Sequence, residues 1–169
     1  MSPTSVGGIS DQAGILSAAE KRSIRSSANE LSIRFPQTYF TIATARLSEG
    51  TSLGAFAFWL FNQGGIVREI DRGSNNYEIL LSIDTSGGRC SLMVGYGLEG
   101  LISESALEAL IAAAQPSFAE GRFAAGIETV IAGMKAELTK VASRLEETHG
   151  FAPIVHTKST AKVTSPADF

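Results

Sequence analysis

The spacing of apolar residues predicts helices at both ends of the folded region. Apolar residues recur every three or four positions from 24 to 35, as on one face of a helix. Ser17 and Glu20 have the spacing of a capping box at its start, and Pro36 ends it. The longest stripe runs from Phe123 to about Thr148 and predicts the longest helix, with these apolar positions: Ile127, Val130, Ile131, Met134, Leu138, Val141 and Leu145.

Two further helices are predicted in the middle of the chain. Thr51 or Ser52 can cap one that carries the aromatic run 53–61 and ends near Gln63. We interpret its apolar residues as core packed on a sheet. Ser103 can cap another, which runs to about residue 114 and is closed by Pro116, with residues 118–122 turning the chain.

Between these helices, aromatic and β-branched runs predict strands at Tyr39–Ala45, Tyr77–Asp84 and Arg89–Val94. The four turn-prone residues 85–88 are too short for a parallel crossover, so the last two strands form an antiparallel hairpin. The order of elements predicts an α/β fold: a three-layer α/β/α sandwich with a small mixed sheet and helices on both faces.

The remaining stretches predict loops. Residues 1–14 are small and polar and form an opening loop with a short extended piece, and residues 66–76 form a surface loop. We expect one domain over 1–150 and a flexible C-terminal tail over 151–169, where threonine, serine and lysine occur without periodicity.

Composition narrows the class of protein. The 169-residue chain has a net charge of -3 and no cluster of Lys or Arg, which excludes nucleic-acid binding. No apolar run approaches the length of a membrane span, and no signal peptide is visible, so we expect a soluble protein without direct membrane insertion. The single cysteine, Cys90, lies in an apolar strand and is interpreted as a buried, inert thiol.

The stretch Cys90–Gly100 (CSLMVGYGLEG) is the strongest candidate site. Gly95, Gly97 and Gly100 follow a strand and precede a helix, and we expect them to form a tight turn that uses positive φ. Their spacing matches a dinucleotide fingerprint, but the strand is the second arm of a hairpin and no strand follows. We therefore expect no nucleotide cofactor.

Other chemistries lack their residues. His149 and His156 both lie at the end of the last helix or in the tail, so a nucleophile in the core has no histidine base. One cysteine and two peripheral histidines do not complete a zinc shell. Oxygen ligands remain, and they suit Ca²⁺ or Mg²⁺.

Acidic residues at element ends are the candidate ligands. Asp11, Asp84 and Glu99 lie in loops or at the ends of helices and strands, with Asn75 and Asn76 ahead of the second strand. A cation site requires these ends to converge. Each residue also has an ordinary interpretation, because acidic residues commonly precede helices, open turns and complement helix N-termini.

On these residues the chain resembles the TPM domain family, which is known from photosystem II repair proteins, bacterial envelope proteins and a receptor-associated nematode protein. The resemblance runs from about Ser10 to Leu138. Its motifs are D-x-A-G-I-L-S from Asp11, YFTIATA, N-N-Y-E-I-L-L from Asn75, V-G-Y-G-L-E-G from Val94, and P-x-F-x-x-G-x-F-x-x-G-I from Pro116.

The resemblance implies the same sandwich fold and a divalent-cation site with four residues at matching motif positions: Asp11, Asp84, Tyr96 and Glu99. Tyr77 and Glu78 depart from the family's N-G-V-L, and residues 84–89 hold one aspartate where the family has D-D-R. A protein partner or membrane complex is implied, and an envelope or periplasmic location. The chain taken as complete would be cytoplasmic.

Three functions remain open. The first is an accessory or binding module for assembly or repair of a membrane protein complex, holding Ca²⁺ or Mg²⁺ at the glycine turn. The second is a metal-assisted acid phosphatase for phosphate monoesters, in which Asp84 positions a metal-bound water. The third is a structural domain that meets a partner through an apolar helix surface.

Overall fold

The computed structural model describes residues 8–36, 38–63 and 77–149. The predicted surface loop at 66–76 and the predicted tail at 151–169 lie outside these ranges, as does His156. The strands are β1 (Ile9–Asp11), β2 (Tyr39–Ala45), β3 (Glu78–Asp84) and β4 (Arg89–Val94). The helices are α1 (Ala18–Arg34), α2 (Leu53–Gln63), α3 (Tyr96–Glu99), α4 (Glu104–Ala119) and α5 (Phe123–His149).

The strands form one mixed sheet in the order β1-β2-β3-β4. β1 and β3 both run parallel to β2, whereas β4 runs antiparallel to β3. The predicted mixed sheet and hairpin are therefore confirmed. We call the edge where β1, β2 and β3 end the carboxyl edge, and the edge where β2 and β3 begin the amino edge.

Alternation along the strands separates two faces of the sheet. The helix-rich face carries most of the core, because its residues pack with buried side chains of α1, α4 and α5 in one large cluster. The opposite face, which we call the α2 face, carries Ala43 and Leu80 under Leu60 of α2. Strand residues of the helix-rich face include Phe40, Ile42, Ile79, Leu81, Ile83, Leu92 and Val94.

Local sequence explains where α1 begins. The Ser17 side chain accepts a hydrogen bond from the Glu20 amide, and the Glu20 carboxylate accepts one from the Ser17 amide, so the predicted capping box is present. Ile24, Ala28 and Leu31 form the buried face of the helix.

The prediction that Pro116 closes its helix is wrong. α4 continues to Ala119 with Pro116 inside it. Proline removes one amide donor, but its carbonyl still accepts a hydrogen bond from the Glu120 amide. The added turn buries Phe118 to 1 % exposure, and the apolar burial offsets the lost hydrogen bond.

The glycine turn also differs from the prediction. Gly95 and Gly100 have φ of -77° and -82°, ordinary values for any residue, and between them lies the short helix α3. Glycines with positive φ within the described ranges occur at four other positions: Gly14, Gly50, Gly88 and Gly121. The helical backbone of α3 reverses the chain, so neither Gly95 nor Gly100 needs a positive φ.

Candidate functional site

Asp84 ends β3 and binds two neighbouring segments together. Its Oδ1 accepts hydrogen bonds from the Leu47 amide at 3.1 Å and from the amide and hydroxyl of Ser86 at 3.1 and 2.7 Å. Its Oδ2 accepts one from Arg89 Nη2 at 2.5 Å. Burial favours the neutral acid, but these donors together lower the pKa of Asp84 to about 2. The carboxylate joins the β2–α2 loop to the hairpin.

Asp11 ends β1 and organises the segment that leads into α1. Its Oδ1 accepts hydrogen bonds from the Ile15 amide and the Thr44 hydroxyl at 3.1 and 2.6 Å. Its Oδ2 accepts one from the Leu16 amide at 3.0 Å and lies 3.9 Å from Lys21 Nζ. Burial acts to raise the pKa of Asp11, but these donors leave it below its usual value. Asp11, predicted within an opening loop with a short extended piece, is the last residue of the edge strand β1.

Asp11 and Asp84 share the carboxyl edge but point to opposite faces of the sheet. Asp11 pairs with Thr44, and Thr44 pairs with Ile83 of the helix-rich face. Asp84 is the next residue along β3, so its side chain points to the α2 face. Two strand spacings, about 10 Å, also separate them. The two aspartates form two separate sites.

The expected convergence of Tyr96 and Glu99 with these aspartates is wrong. The antiparallel direction of β4 pairs Val94 with Ile79 and carries the chain to the amino edge, where the Gly95 amide donates to the Glu78 carbonyl. Glu99 therefore lies about 20 Å from Asp84 along the strand direction. Tyr96 is 83 % exposed on α3.

The predicted ligands do not fit a divalent cation. Asp11 and Asp84 side chains are each 2 % exposed, and each carboxylate oxygen already accepts a hydrogen bond from an amide, a hydroxyl or a guanidinium. Donors of this kind repel a cation, which needs free oxygens. Across the described ranges, no group of three or more Asp, Glu, His or Cys side chains could hold a metal ion.

The outer side of α2 is an apolar surface. Leu53, Ala57 and Leu60 are buried, whereas Phe58 and Trp59 are 61 % and 53 % exposed. The helix contains no charged residue. The prediction that its aromatic run is core therefore holds for one face only. We call Phe58 and Trp59 the α2 patch. No helix in the described part of the chain is long and apolar enough to cross a bilayer.

Cys90 and Glu78 differ from surface groups because burial changes their pKa. Cys90 was predicted to be buried but is only partly buried; its thiol packs against the core, and burial raises its pKa to about 11. Glu78 is 1 % exposed at the start of β3, and burial raises its pKa to about 8. In the sequence, Glu78 stands out as a departure from the family motif, and the signal for its burial is a glutamate within an apolar strand.

Comparisons with known proteins identify the family of the chain and support its fold. A family model described as the TPM domain, named TPM_phosphatase, matches residues 9–137. A search of curated proteins finds no match. Among solved structures, the N-terminal domain of a P. gingivalis protein is similar, with 23% identity, a TM-score of 0.64, and coverage of 88% of this chain and 87% of the other.

Two further solution structures have a similar fold. The BA42 protein from Bizionia argentinensis is 16% identical with a TM-score of 0.63, and the match covers 75% of this chain and 83% of that one. The N-terminal domain of the cg2496 protein from Corynebacterium glutamicum is 12% identical with a TM-score of 0.58, covering 76% and 77%. Identities this low support the fold alone.

Proposed function

This chain belongs to the TPM domain family, and from that premise we propose that it is an accessory binding module that recognises a membrane protein complex through the α2 patch. The observation that carries the proposal is the exposure of Phe58 and Trp59 on a helix without charges. Large aromatic side chains dominate the energetics of protein interfaces when a partner covers them.

Within the described ranges, the cluster of buried side chains around α2 is small. Buried side chains around α2 form a small cluster of Ala43, Leu60 and Leu80, with Phe56 packed against it. A surface helix normally turns polar residues outward, so an uncharged outward face is typical of a helix that a partner covers. This supports recognition of apolar protein surface.

The strand-end aspartates have a role within the fold that requires no ligand. Asp11 and Asp84 hold loops within the fold, and their oxygens accept hydrogen bonds from neighbouring donors. Carboxylates engaged in this way are poor metal ligands and poor bases. The proposal therefore assigns no cation to the glycine turn and no reaction to these residues.

Photo-crosslinking in cells that express the protein tests the proposal. A photoreactive amino acid at position 58 should give a discrete adduct that mass spectrometry identifies as an integral membrane protein, and Trp59→Ser should abolish it. The matched control is position 33, because Ile33 is an apolar residue that is 72 % exposed on α1. Equal adducts from both positions, or adducts that survive Trp59→Ser, would contradict the proposal.

Acid phosphatase activity is the second candidate, and one observation favours it. Asp11 and Asp84 lie at the carboxyl ends of parallel strands, the edge at which open α/β sheets bind ligands. Turnover of a chromogenic phosphate monoester, measured with Ca²⁺, Mg²⁺ and chelator, tests it. The binding proposal expects no turnover. Turnover that Asp84→Asn abolishes would favour the enzyme instead.

A further inference from the structure

Glu78 is a buried acid that the strand-end chemistry does not use. It is the first residue of β3 and is 1 % exposed. Neither Oε1 nor Oε2 has a hydrogen-bond partner, and the Ser82 hydroxyl on the same face also lacks one. Buried polar atoms are normally hydrogen-bonded, so this carboxyl group requires an explanation.

The described elements around Glu78 supply no counter-ion. On β2, Tyr39 pairs with Glu78, and on β4 the charged residue of the same face is Arg89, which binds Asp84 at the far edge. α2 has no ionisable residue between Leu53 and Gln63. At the amino edge, α3 contributes the exposed side chains of Tyr96 and Glu99.

An ionised carboxylate in this position would be buried without a compensating charge or hydrogen bond, which is strongly unfavourable. The neutral acid avoids most of that cost. Burial accordingly raises the pKa of Glu78 to about 8. The Glu78 carboxyl group is therefore protonated in the folded structure at neutral pH.

We propose that Glu78 is a proton-binding site that holds α2 on the sheet, and that loss of its proton releases α2. α2 is the described helix on this face; its Leu60 belongs to a small cluster with Ala43 and Leu80, and its Leu53 and Ala57 are also buried. The helix-rich face, in contrast, is held by a cluster that spans three long helices. Water therefore reaches an ionised Glu78 most easily by displacement of α2.

The proposed release of α2 is independent of the proposed binding role, because it can be measured on the isolated protein. Trp59 is the one tryptophan of the chain and lies on α2, so its fluorescence reports the position of that helix. Emission and acrylamide quenching should be followed from about pH 6 to about pH 10, a window that brackets the shifted acid. Far-UV circular dichroism reports whether the rest of the fold persists.

We expect a one-proton transition near pH 8, with a red shift of Trp59 emission and increased quenching. Glu78→Gln, which copies the neutral acid, should remove the transition and keep the low-pH signal. The matched control is Glu99→Gln, since Glu99 is an exposed acid at the same edge and its removal should leave the transition unchanged.

A flat Trp59 signal in the wild type, or a transition that persists in Glu78→Gln, overturns the proposal. A second measurement on the wild type avoids dependence on how the variant folds. The carboxyl carbon of Glu78 should titrate near pH 8 by NMR. Titration at the ordinary pKa of glutamate, 4.5, would equally overturn it.

Discussion

Asp84 and Arg89 form the register pair next to the turn of the β3–β4 hairpin, and Arg89 Nη2 donates a hydrogen bond to Asp84 Oδ2 at 2.5 Å. The Arg89 side chain is 52% exposed, whereas that of Asp84 is 2% exposed. The guanidinium thus covers a buried carboxylate from the solvent side. This relationship makes Asp84 a structural link between the hairpin and the β2–α2 loop.

Asp84→Asn should destabilise the fold by about 2–3 kcal/mol, because it leaves buried donors without their charged acceptor. Urea unfolding measures the loss. Glu120→Gln is the control, since its ion pair with Arg122 has side chains that are 62% and 59% exposed. That change should cost no more than about 1 kcal/mol. Equal losses for both variants would contradict the structural role.

Stability should rise with pH over the acidic range. The native state lowers the pKa of Asp84 to about 2 and also lowers that of Asp11, so between about pH 2 and pH 4 the unfolded chain binds more protons. Each group adds a slope of up to about 1.4 kcal/mol per pH unit. Urea midpoints across this range should show a shallower slope for Asp84→Asn. An unchanged slope would show that Asp84 is not involved.

At higher pH, Glu78 should make the stability of the fold decrease as pH rises. Its native pKa is raised to about 8, so the native state binds the extra proton above the ordinary pKa of 4.5, and stability falls as pH rises through that window. The loss is up to about 1.4 kcal/mol per pH unit, until release of α2 limits it. The stability of Glu78→Gln relative to the wild type should therefore increase as pH rises, and urea unfolding measures this difference. Parallel pH profiles of the two proteins would contradict the role of Glu78.

Gly88 should be the least replaceable glycine of the hairpin. Its φ is +65°, and a Cβ atom would lie 2.9 Å from the Phe118 carbonyl oxygen, which is backbone of α4. Gly88→Ala should therefore cost more than about 1 kcal/mol. Gly100→Ala is the control from the glycine turn, since a Cβ there meets nothing within 4 Å, and it should change stability by less than about 0.5 kcal/mol. Thermal unfolding compares them; equal losses would refute the contact.

Much of the fold followed from local pattern. Apolar periodicity and the capping box located α1 and α5, and β-branched runs located β2, β3 and β4. β1 was harder to define because Ile9–Asp11 is too short to show alternation. The extent of α4 beyond Pro116 depended on the burial of Phe118, a tertiary contact that local propensity does not contain.

The candidate site was predicted less well, for a topological reason. An antiparallel hairpin sends the end of β4 to the opposite edge from the end of β3, so the predicted hairpin already separated Glu99 from Asp84. Strand register, which decides the faces of Asp11 and Asp84, was not visible in the sequence. The lack of a hydrogen-bond partner for the buried Glu78 carboxyl group also depends on neighbours that only the fold brings together.

The most direct test of the account is an amide NMR titration with Ca²⁺ and Mg²⁺. The central claim is that Asp11 and Asp84 use their oxygens within the fold, which leaves recognition to the α2 patch. The amides of Ile15, Leu16, Leu47 and Ser86 donate to these carboxylates and report on them directly. We expect the resonances of these amides not to move when either cation is added. Saturable shifts at these amides, lost in Asp84→Asn or Asp11→Asn, would contradict it.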